Sequence, residues 1–207
     1  MTDKWYGVHA VILTPFTEEE ELDEGALRRH LRFLLDEGGV QGIIPTGSTG
    51  EFASLSEEER KRVVDLTIDE VAGEVPVVVG SAANGTGRTI MYAQHAEQAG
   101  ADGVMIVPPY YCQPDDREIY EHYKAVAESI GIPIMVYNNP VTSGVDISPE
   151  LFARLTEIDN VRYVKEASGD IKRIGAIRRR CGDKLTLFVG ADHVMFESFL
   201  MGAEGWV

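Results

Sequence analysis

The feature that most constrains the fold of this 207-residue chain is a regular alternation of short apolar runs with longer amphipathic segments. Most of the apolar runs are continuous rather than alternating, as expected for strands that are buried on both faces. Strands that alternate with helices along one chain predict a parallel α/β fold. The seven predicted strands span residues 8–14, 42–45, 75–80, 103–107, 133–137, 161–165 and 185–189.

The segments between these strands carry signals for helix starts. Ser56 and Glu59 have the spacing of a capping box, in which each side chain bonds the other residue's backbone N–H. Ser148 is followed by Pro149, and proline is favoured at the first helical position. Both patterns predict that a helix begins there, after the second and the fifth strand.

The end of the chain repeats an earlier pattern. The segment GADGVMIV at 100–107 and the segment GAEGWV at 202–207 both run from a turn into a strand, as copies of one βα unit would. Seven βα units and the opening of an eighth match a (β/α)8 TIM barrel, which needs roughly 250 residues or more. We therefore predict a single barrel domain over residues 1–207, truncated after strand 7 and the start of strand 8. Such a barrel should have two unpaired edges, which would invite association.

Charge and composition restrict the possible partners. A net charge of -15 and a pI near 4.7 disfavour nucleic acid and anionic membranes, because phosphate binding depends on clustered Lys and Arg. No apolar run reaches membrane-spanning length, so a cytoplasmic protein is expected. Cys112 and Cys181 lie far apart without a metal-site spacing and are predicted to be free thiols.

The predicted strand 161–165 ends in Lys165. Lysine is rarely buried without a partner, and burial lowers its pKa. A neutral amine can attack a carbonyl to form a Schiff base. The competing interpretation is a lysine whose stem is buried and whose charged end reaches water.

Other chemically capable residues also follow predicted strands, where TIM-barrel active sites lie. The backbone N–H groups of Ser48 and Thr49, in the turn after the second strand, could hold a carboxylate, and their hydroxyls could relay a proton. The alternative is a plain turn. Tyr137 ends the strand before that of Lys165, so two adjacent barrel strands would bring phenol and amine into one pocket.

Four motifs together resemble one family. GSTGE at 47–51, YNNP at 137–140, KEASGD at 165–170 and VGAD at 189–192 are similar, in order and spacing, to the dihydrodipicolinate synthase and N-acetylneuraminate lyase family of class I, Schiff-base aldolases. The resemblance implies that Lys165 forms an imine with pyruvate or another 2-oxo acid. It also implies that Tyr137 donates and accepts protons, and that no metal or organic cofactor takes part.

The resemblance assigns further site residues. It implies that Ser48 and Thr49 hold the keto-acid carboxylate and that Ser48 joins the proton relay. Tyr111 would act catalytically from a neighbouring subunit, in a homo-oligomer that is a dimer of dimers when full length. Gly47 and Gly190, after the second and seventh strands, also belong to the predicted substrate-binding set.

One departure from the family pattern bears on the substrate. Dihydrodipicolinate synthases usually carry an arginine two positions after the proline of YNxP, and Thr142 stands there in this chain. A neutral hydroxyl suits a polyol better than a second carboxylate, so we predict a substrate-binding role for Thr142. The predicted function is a lyase acting on a hydroxylated 2-oxo acid, either a 2-oxo-3-deoxy sugar acid aldolase or dehydratase or a hydroxypyrroline-carboxylate deaminase.

Three alternatives stay open. The chain could be a lysine-pathway synthase of the same family, or a keto-acid-binding paralogue without activity. A sugar-phosphate aldolase would need a phosphate site after strands seven and eight. Asp192 has the wrong charge for that site.

Overall fold

The computed structural model describes residues 4–207, which form eight parallel strands interleaved with helices. The (β/α)8 TIM-barrel prediction is confirmed, and the strand ends differ from prediction by up to three residues. The strands are β1 (Gly7–Val11), β2 (Gly42–Ile44), β3 (Val78–Gly80), β4 (Gly103–Ile106), β5 (Ile134–Asn138), β6 (Val161–Glu166), β7 (Thr186–Val189) and β8 (Gly205–Trp206). The helices are α1 (Glu24–Asp36), α2 (Glu57–Val71), α3 (Thr86–Ala99), α4 (Asp116–Ala127), α5 (Pro140–Ser143), α6 (Pro149–Leu155), α7 (Ile171–Cys181) and α8 (Met195–Leu200). Short 3-10 turns cover Gly182–Lys184 and Asp192–Val194.

The strands are bonded in the order β2-β1-β8-β7-β6-β5-β4-β3. The two ends of this order also meet, because Ile43 and Val77 form a parallel bridge. The backbone N–H of Gly80 donates to the carbonyl of Pro45 at 2.9 Å. These contacts join β2 to β3 and complete the ring.

The eighth strand is short but pairs on both sides. Gly205 lies opposite Gly7 of β1 and Phe188 of β7, and Trp206 pairs with the next residue of each strand. The expectation of two unpaired edges is therefore wrong. Two residues in extended conformation are enough to bond both neighbours and close the barrel.

Aromatic side chains fill one end of the barrel interior. Trp5 stacks on Tyr163 with ring centroids 4.0 Å apart, and His9 packs edge-on against Phe188 at 4.9 Å. Rings of this size fit because facing positions have no side chain. A Cβ atom would clash with Trp5, His9 or Phe188 at three glycines: Gly103, Gly42 and Gly205.

The predicted helix starts are confirmed. The Glu59 N–H donates to the Ser56 hydroxyl at 3.2 Å, and the Glu59 carboxylate accepts from the Ser56 N–H at 2.7 Å. The Ser148 hydroxyl accepts from the Leu151 N–H at 3.1 Å and caps α6, with Pro149 in the first turn. Among the residues described, none of the helices combines the length and hydropathy needed to cross a membrane. The two cysteines are free thiols, as predicted.

Candidate active site

The parallel register of β5 and β6 brings the predicted amine and phenol together. Tyr137 and Lys165 lie directly opposite each other at the carboxyl ends of these strands. The Lys165 Nζ atom is 4.3 Å from the centroid of the Tyr137 ring. Both residues are only 6% exposed. The predicted pairing is therefore present in a nearly water-free environment.

Burial changes the acid–base behaviour of Lys165. It lowers the pKa of the amine from 10.5 to about 8, and the negative charge of Asp192 opposes part of this decrease. Asp192 lies in the 3-10 turn after β7, where its carboxylate accepts a hydrogen bond from the Trp206 indole at 3.1 Å. A larger share of Lys165 is thus neutral near neutral pH than for an exposed lysine.

Gly190 leaves room for the lysine side chain. A Cβ atom on Gly190 would lie 2.7 Å from the Lys165 Cε atom and 3.0 Å from the Ala167 Cβ atom. The backbone N–H of Gly190 donates to the carbonyl of Glu166 at 2.8 Å. Its position against Lys165 gives Gly190 a packing role, and its predicted contact with substrate stays a prediction.

The phenol of Tyr137 has two polar neighbours. The side-chain amide of Asn139 donates to the phenol oxygen at 2.8 Å. Burial raises the pKa of Tyr137, while hydrogen bonds with Asn139 and Ser48 act in the opposite direction. The phenol is therefore protonated at neutral pH. Ser48, the first residue of the predicted relay, lines the same cleft as the phenol.

A cleft of about 250 Å³ opens beside Tyr137. Ser48, Tyr137 and Thr142, three of the predicted site residues, line it, and Lys165 lies beneath the Tyr137 ring. Thr49 does not line the cleft. Within the described chain the lining carries a single charged side chain, Glu51. The full lining consists of Ser48, Glu51, Phe52, Ala53, Ser54, Val107, Tyr110, Tyr137, Asn139, Thr142 and Ser143.

The turn after β2 is tightly packed. A Cβ on Gly47 would lie 2.5 Å from a methyl group of Val11, so only glycine fits there. The Thr14 hydroxyl donates to the Gly50 carbonyl at 2.8 Å and fastens the other end of the turn. Ser48, between these fixed points, reaches the cleft. Carboxylate binding by this turn stays a prediction.

Tyr111 points away from the cleft of its own chain. Its side chain is 84% exposed, and its backbone N–H donates to the Asn84 side chain at 3.1 Å. The neighbouring Tyr110 lines the cleft instead. The predicted role of Tyr111 in a neighbouring subunit stays a prediction.

A buried acidic group was missed by the sequence analysis. Glu166 is 3% exposed and accepts hydrogen bonds from the Asn138 side chain at 3.0 Å and the Ser168 N–H at 2.7 Å. Burial raises the pKa of Glu166. Asn138 also donates to Asp146, which pairs with Arg173 at 2.7 Å. This network anchors the ends of β5 and β6.

Two residues near the reactive pair were also missed. Asn139 had a signal, because an asparagine directly before a proline is typical of a helix N-cap followed by the first helical position. The effect of Asp192 on Lys165 had no signal in the sequence, because no pattern shows which side chain of the loop after strand 7 faces the lysine. In the described range 4–207, no three His, Cys, Asp or Glu side chains are grouped to hold a metal ion.

Comparison with known proteins agrees with this geometry. The model of the dihydrodipicolinate synthetase family matches residues 4–207. The 4-hydroxy-tetrahydrodipicolinate synthase of Syntrophus aciditrophicus is 44% identical over 199 residues, which are 96% of this chain and 68% of the relative. The synthase of Methanothrix thermoacetophila is 41% identical over 97% of this chain and 68% of the relative. This chain thus spans about two thirds of the length of these relatives.

Solved structures show the same likeness. Dihydrodipicolinate synthase from Aquifex aeolicus superposes with a TM-score of 0.94 and 34% identity, over 98% of this chain and 69% of that chain. The Acinetobacter baumannii synthase, solved in complex with pyruvate, gives a TM-score of 0.94 and 33% identity over 98% and 69%. The TIM-barrel fold and these relatives define the chain as a class I lyase. The chain belongs to the dihydrodipicolinate synthetase family, whose enzymes use a Schiff-base lysine.

Proposed function

We propose that this protein is a 4-hydroxy-tetrahydrodipicolinate synthase that binds pyruvate as a Schiff base on Lys165. The observation that carries the proposal is the buried Lys165 amine, 4.3 Å from the ring of Tyr137 at adjacent strand ends. Relatives of 38–44% identity that bear this name support the choice of reaction. They favour the synthase over the sugar-acid lyase that Thr142 had suggested.

The chemistry begins at Lys165. Its neutral amine attacks C2 of pyruvate, and loss of water gives a protonated imine. The imine accepts electrons, so C3 loses a proton and the imine becomes an enamine. C3 then attacks the aldehyde carbon of aspartate semialdehyde, and the aldehyde oxygen gains a proton. The amino group of the condensed product attacks C2, the bond between C2 and Nζ breaks, and Lys165 leaves as the free amine with the ring closed. Pyruvate as first substrate is supported by the pyruvate complex of the Acinetobacter baumannii synthase.

Tyr137 transfers the protons in this scheme. Its phenol gives a proton to the developing alkoxide and regains it through Ser48, and Tyr111 of a neighbouring subunit completes the relay. Thr49 holds the pyruvate carboxylate, with Gly47 in the same turn. The exposure of Tyr111 on its own subunit supports self-association of the chain.

Thr142 favours a second candidate, a lyase acting on a 2-oxo-3-deoxy sugar acid or a hydroxypyrroline carboxylate. Thr142 lines the cleft, and the single charged side chain in the described lining, Glu51, is acidic. Arginine binds carboxylates through two parallel hydrogen bonds, which a hydroxyl does not replace. A substrate with hydroxyl groups instead of a second carboxylate would suit this lining.

Borohydride trapping tests the Schiff base. Pyruvate and borohydride together should add a covalent mass to Lys165, and peptide mapping should find no addition on Lys61, Lys124 or Lys172. The Lys165→Met variant should gain no mass. Trapping at another lysine, or trapping that persists in the variant, would overturn the proposal.

A side-by-side assay separates the two candidates. One arm contains pyruvate and aspartate semialdehyde, and the other contains 2-oxo-3-deoxy sugar acids or hydroxypyrroline carboxylate. Condensation in the first arm is the expected result. Turnover in the second arm alone, with release of water, ammonia or an aldehyde, would favour the second candidate. Trapping without turnover in either arm would indicate a keto-acid-binding paralogue.

A further inference from the structure

Asn139 connects the reactive phenol to the helix that follows it. Its side-chain Nδ2 lies 2.8 Å from the Tyr137 phenol oxygen. Its Oδ1 accepts a hydrogen bond from the backbone N–H of Thr142 at 3.4 Å and so caps α5. Asn139 also lines the cleft. One side chain thus contacts both the phenol and the backbone that carries Thr142.

These two contacts determine the orientation of the amide. A backbone N–H can only donate, so the atom that faces Thr142 must be the amide oxygen. The amide NH₂ group must then face Tyr137. Because an NH₂ group can only donate, the phenol oxygen accepts from Asn139, and the phenol's own proton has to point elsewhere.

The remaining directions around the phenol lead to the cleft. Tyr137 and Ser48 both line it, and Ser48 is placed so that it lowers the pKa of the phenol. The phenol proton is therefore directed towards Ser48 or a bound substrate. When the proton leaves, the negative oxygen keeps the Asn139 N–H as a donor, and hydrogen bonds to charged groups are the stronger kind.

We propose that Asn139 is a positioning residue for proton transfer by Tyr137, because its amide directs the phenol proton into the cleft and stabilises the oxygen that remains. This inference rests on the proposed function, in which Tyr137 transfers protons to and from a 2-oxo acid bound at Lys165. It assigns to Asn139 a task separate from capping, since the amide oxygen caps α5 while the amide nitrogen serves the phenol.

Two substitutions separate these tasks. Asn139→Asp keeps a cap, because a carboxylate oxygen also accepts from the Thr142 N–H. It replaces the donor by an acceptor, so the phenol would donate to Asp and turn its proton away from the cleft. Asn139→Ser also keeps a cap, but its hydroxyl is too short to reach the phenol. Asn139→Leu loses both the cap and the donor.

The first readout is the pH profile of kcat, in which Lys165 is already held as an imine. For Asn139→Asp we expect kcat to fall by about 10-fold or more, a smaller loss than the roughly 10²-fold or more expected when the acid–base group itself is removed. Its alkaline limb should move up by about one pH unit or more, because loss of a donor and gain of a negative neighbour both raise the pKa of Tyr137. Asn139→Ser should also lower kcat, and its alkaline limb should shift to higher pH by less than that of Asn139→Asp.

The second readout needs no substrate. Ultraviolet absorbance reports tyrosine ionisation, and the difference between the parent and its Tyr137→Phe variant isolates Tyr137. The same comparison is made between Asn139→Asp and the double variant Asn139→Asp, Tyr137→Phe. The ionisation of Tyr137 that it isolates should occur at higher pH than in the parent. Ser148→Asp, a matched exchange at the cap of α6, should leave the kcat profile and the Tyr137 titration unchanged.

The outcomes are distinct. If Asn139→Asp and Asn139→Ser match the parent and only Asn139→Leu is impaired, Asn139 is a cap alone and the inference fails. An unchanged Tyr137 titration in Asn139→Asp would overturn it as well. Absence of pyruvate trapping on the parent Lys165 would instead refute the proposed function, and the titration would still decide whether Asn139 stabilises the ionised phenol.

Discussion

Lys165 is sensitive to nearby charge because it is almost fully removed from water. Burial lowers its pKa to about 8, and Asp192 raises it. A charge acts more strongly on a buried group than on an exposed one, since less water screens it. The fraction of neutral amine at a given pH therefore depends on which residues surround Lys165.

We predict that Asp192→Asn lowers the pKa of Lys165 further, because it removes the one charge that raises it. The asparagine side chain can still accept the hydrogen bond from Trp206. The rate of pyruvate trapping by borohydride, measured against pH, should have its midpoint below that of the parent. Asp183→Asn serves as the control, because the Asp183 side chain is fully exposed. A midpoint that moved upward would contradict the prediction.

Tyr137→Phe should separate binding from proton transfer. Removal of the phenol should lower the rate of turnover by about 10²-fold or more, the scale of positioned acid–base catalysis. Pyruvate trapping on Lys165 should slow but persist, because the amine is retained. Tyr120→Phe, at a position outside the cleft, should turn over at the parent rate. Parent-like turnover of Tyr137→Phe would show that another residue transfers the protons.

At the scale of elements, α2 is tied to the end of β3 by a buried arginine. Arg60 donates to the carbonyls of Ala82 and Gly80, each at 3.0 Å, and its guanidinium lies 3.7 Å from the ring centroid of Tyr92. The Thr46 hydroxyl also donates to the Gly80 carbonyl, at 2.8 Å. These bonds hold the carboxyl ends of β2 and β3, next to the turn that carries Ser48.

We predict that Arg60→Lys lowers the free energy of unfolding by about 2 kcal/mol. An ammonium group cannot make both hydrogen bonds of the planar guanidinium group and also stack on the Tyr92 ring. Arg62→Lys is the matched control on the same helix. Arg62 is half exposed and pairs with Glu24 at 2.6 Å, so the exchange should cost less than about 1 kcal/mol. Urea unfolding of both variants measures the difference, and equal losses would refute it.

The packing of β7 against β6 leads to a further prediction. Gly190→Ala would place a Cβ atom 2.7 Å from the Lys165 Cε atom and displace the amine. Misplacement of a reacting group by about 1 Å can cost about 10²-fold in rate, so pyruvate trapping should slow on this scale. Gly87→Ala in α3, where a Cβ atom meets nothing within 4 Å, should trap at the parent rate. Trapping at the parent rate by Gly190→Ala would contradict the prediction, because it would show that the surrounding atoms shift to accommodate the added methyl group.

For the whole molecule, two buried histidines link stability to pH. Burial lowers the pKa of His9, in the barrel interior, and of His122, on α4, from 6.5 to about 4. Between these values the unfolded chain binds protons that the folded chain does not, so acidification favours unfolding. Burial raises the pKa of Glu166, and this shift makes acidification favour the folded state. We expect the two histidines to make the larger contribution to the change in the free energy of unfolding between pH 6.5 and about 4.

We predict that the free energy of unfolding falls as the pH decreases through this window, by an amount on the order of 1–3 kcal/mol per histidine. Urea titrations at a series of pH values measure the slope. His122→Gln, which stays neutral, should show a shallower slope than the parent. His193→Gln, at an exposed position, is the control. A slope unchanged by His122→Gln would contradict the assignment.

Local patterns were enough to predict much of the fold. Continuous apolar runs located the strands, and the Ser56–Glu59 spacing located the start of α2, because these signals depend on residues a few positions apart. The same applies to Lys165 and Tyr137, each recognised at the end of a strand. The chemistry of the pair is implied by the resemblance to Schiff-base aldolases and stays a prediction.

What the sequence alone determined was therefore the order of strands and helices and the position of Lys165 and Tyr137 at the ends of adjacent strands. The tertiary structure decided how β8 closes the barrel, how far burial lowers the pKa of Lys165, and which groups touch it. Asp192, Gly190 and Asn139 act through distances of a few ångströms across separate loops and strands. Such distances are set by barrel register and packing, which no spacing along the chain encodes.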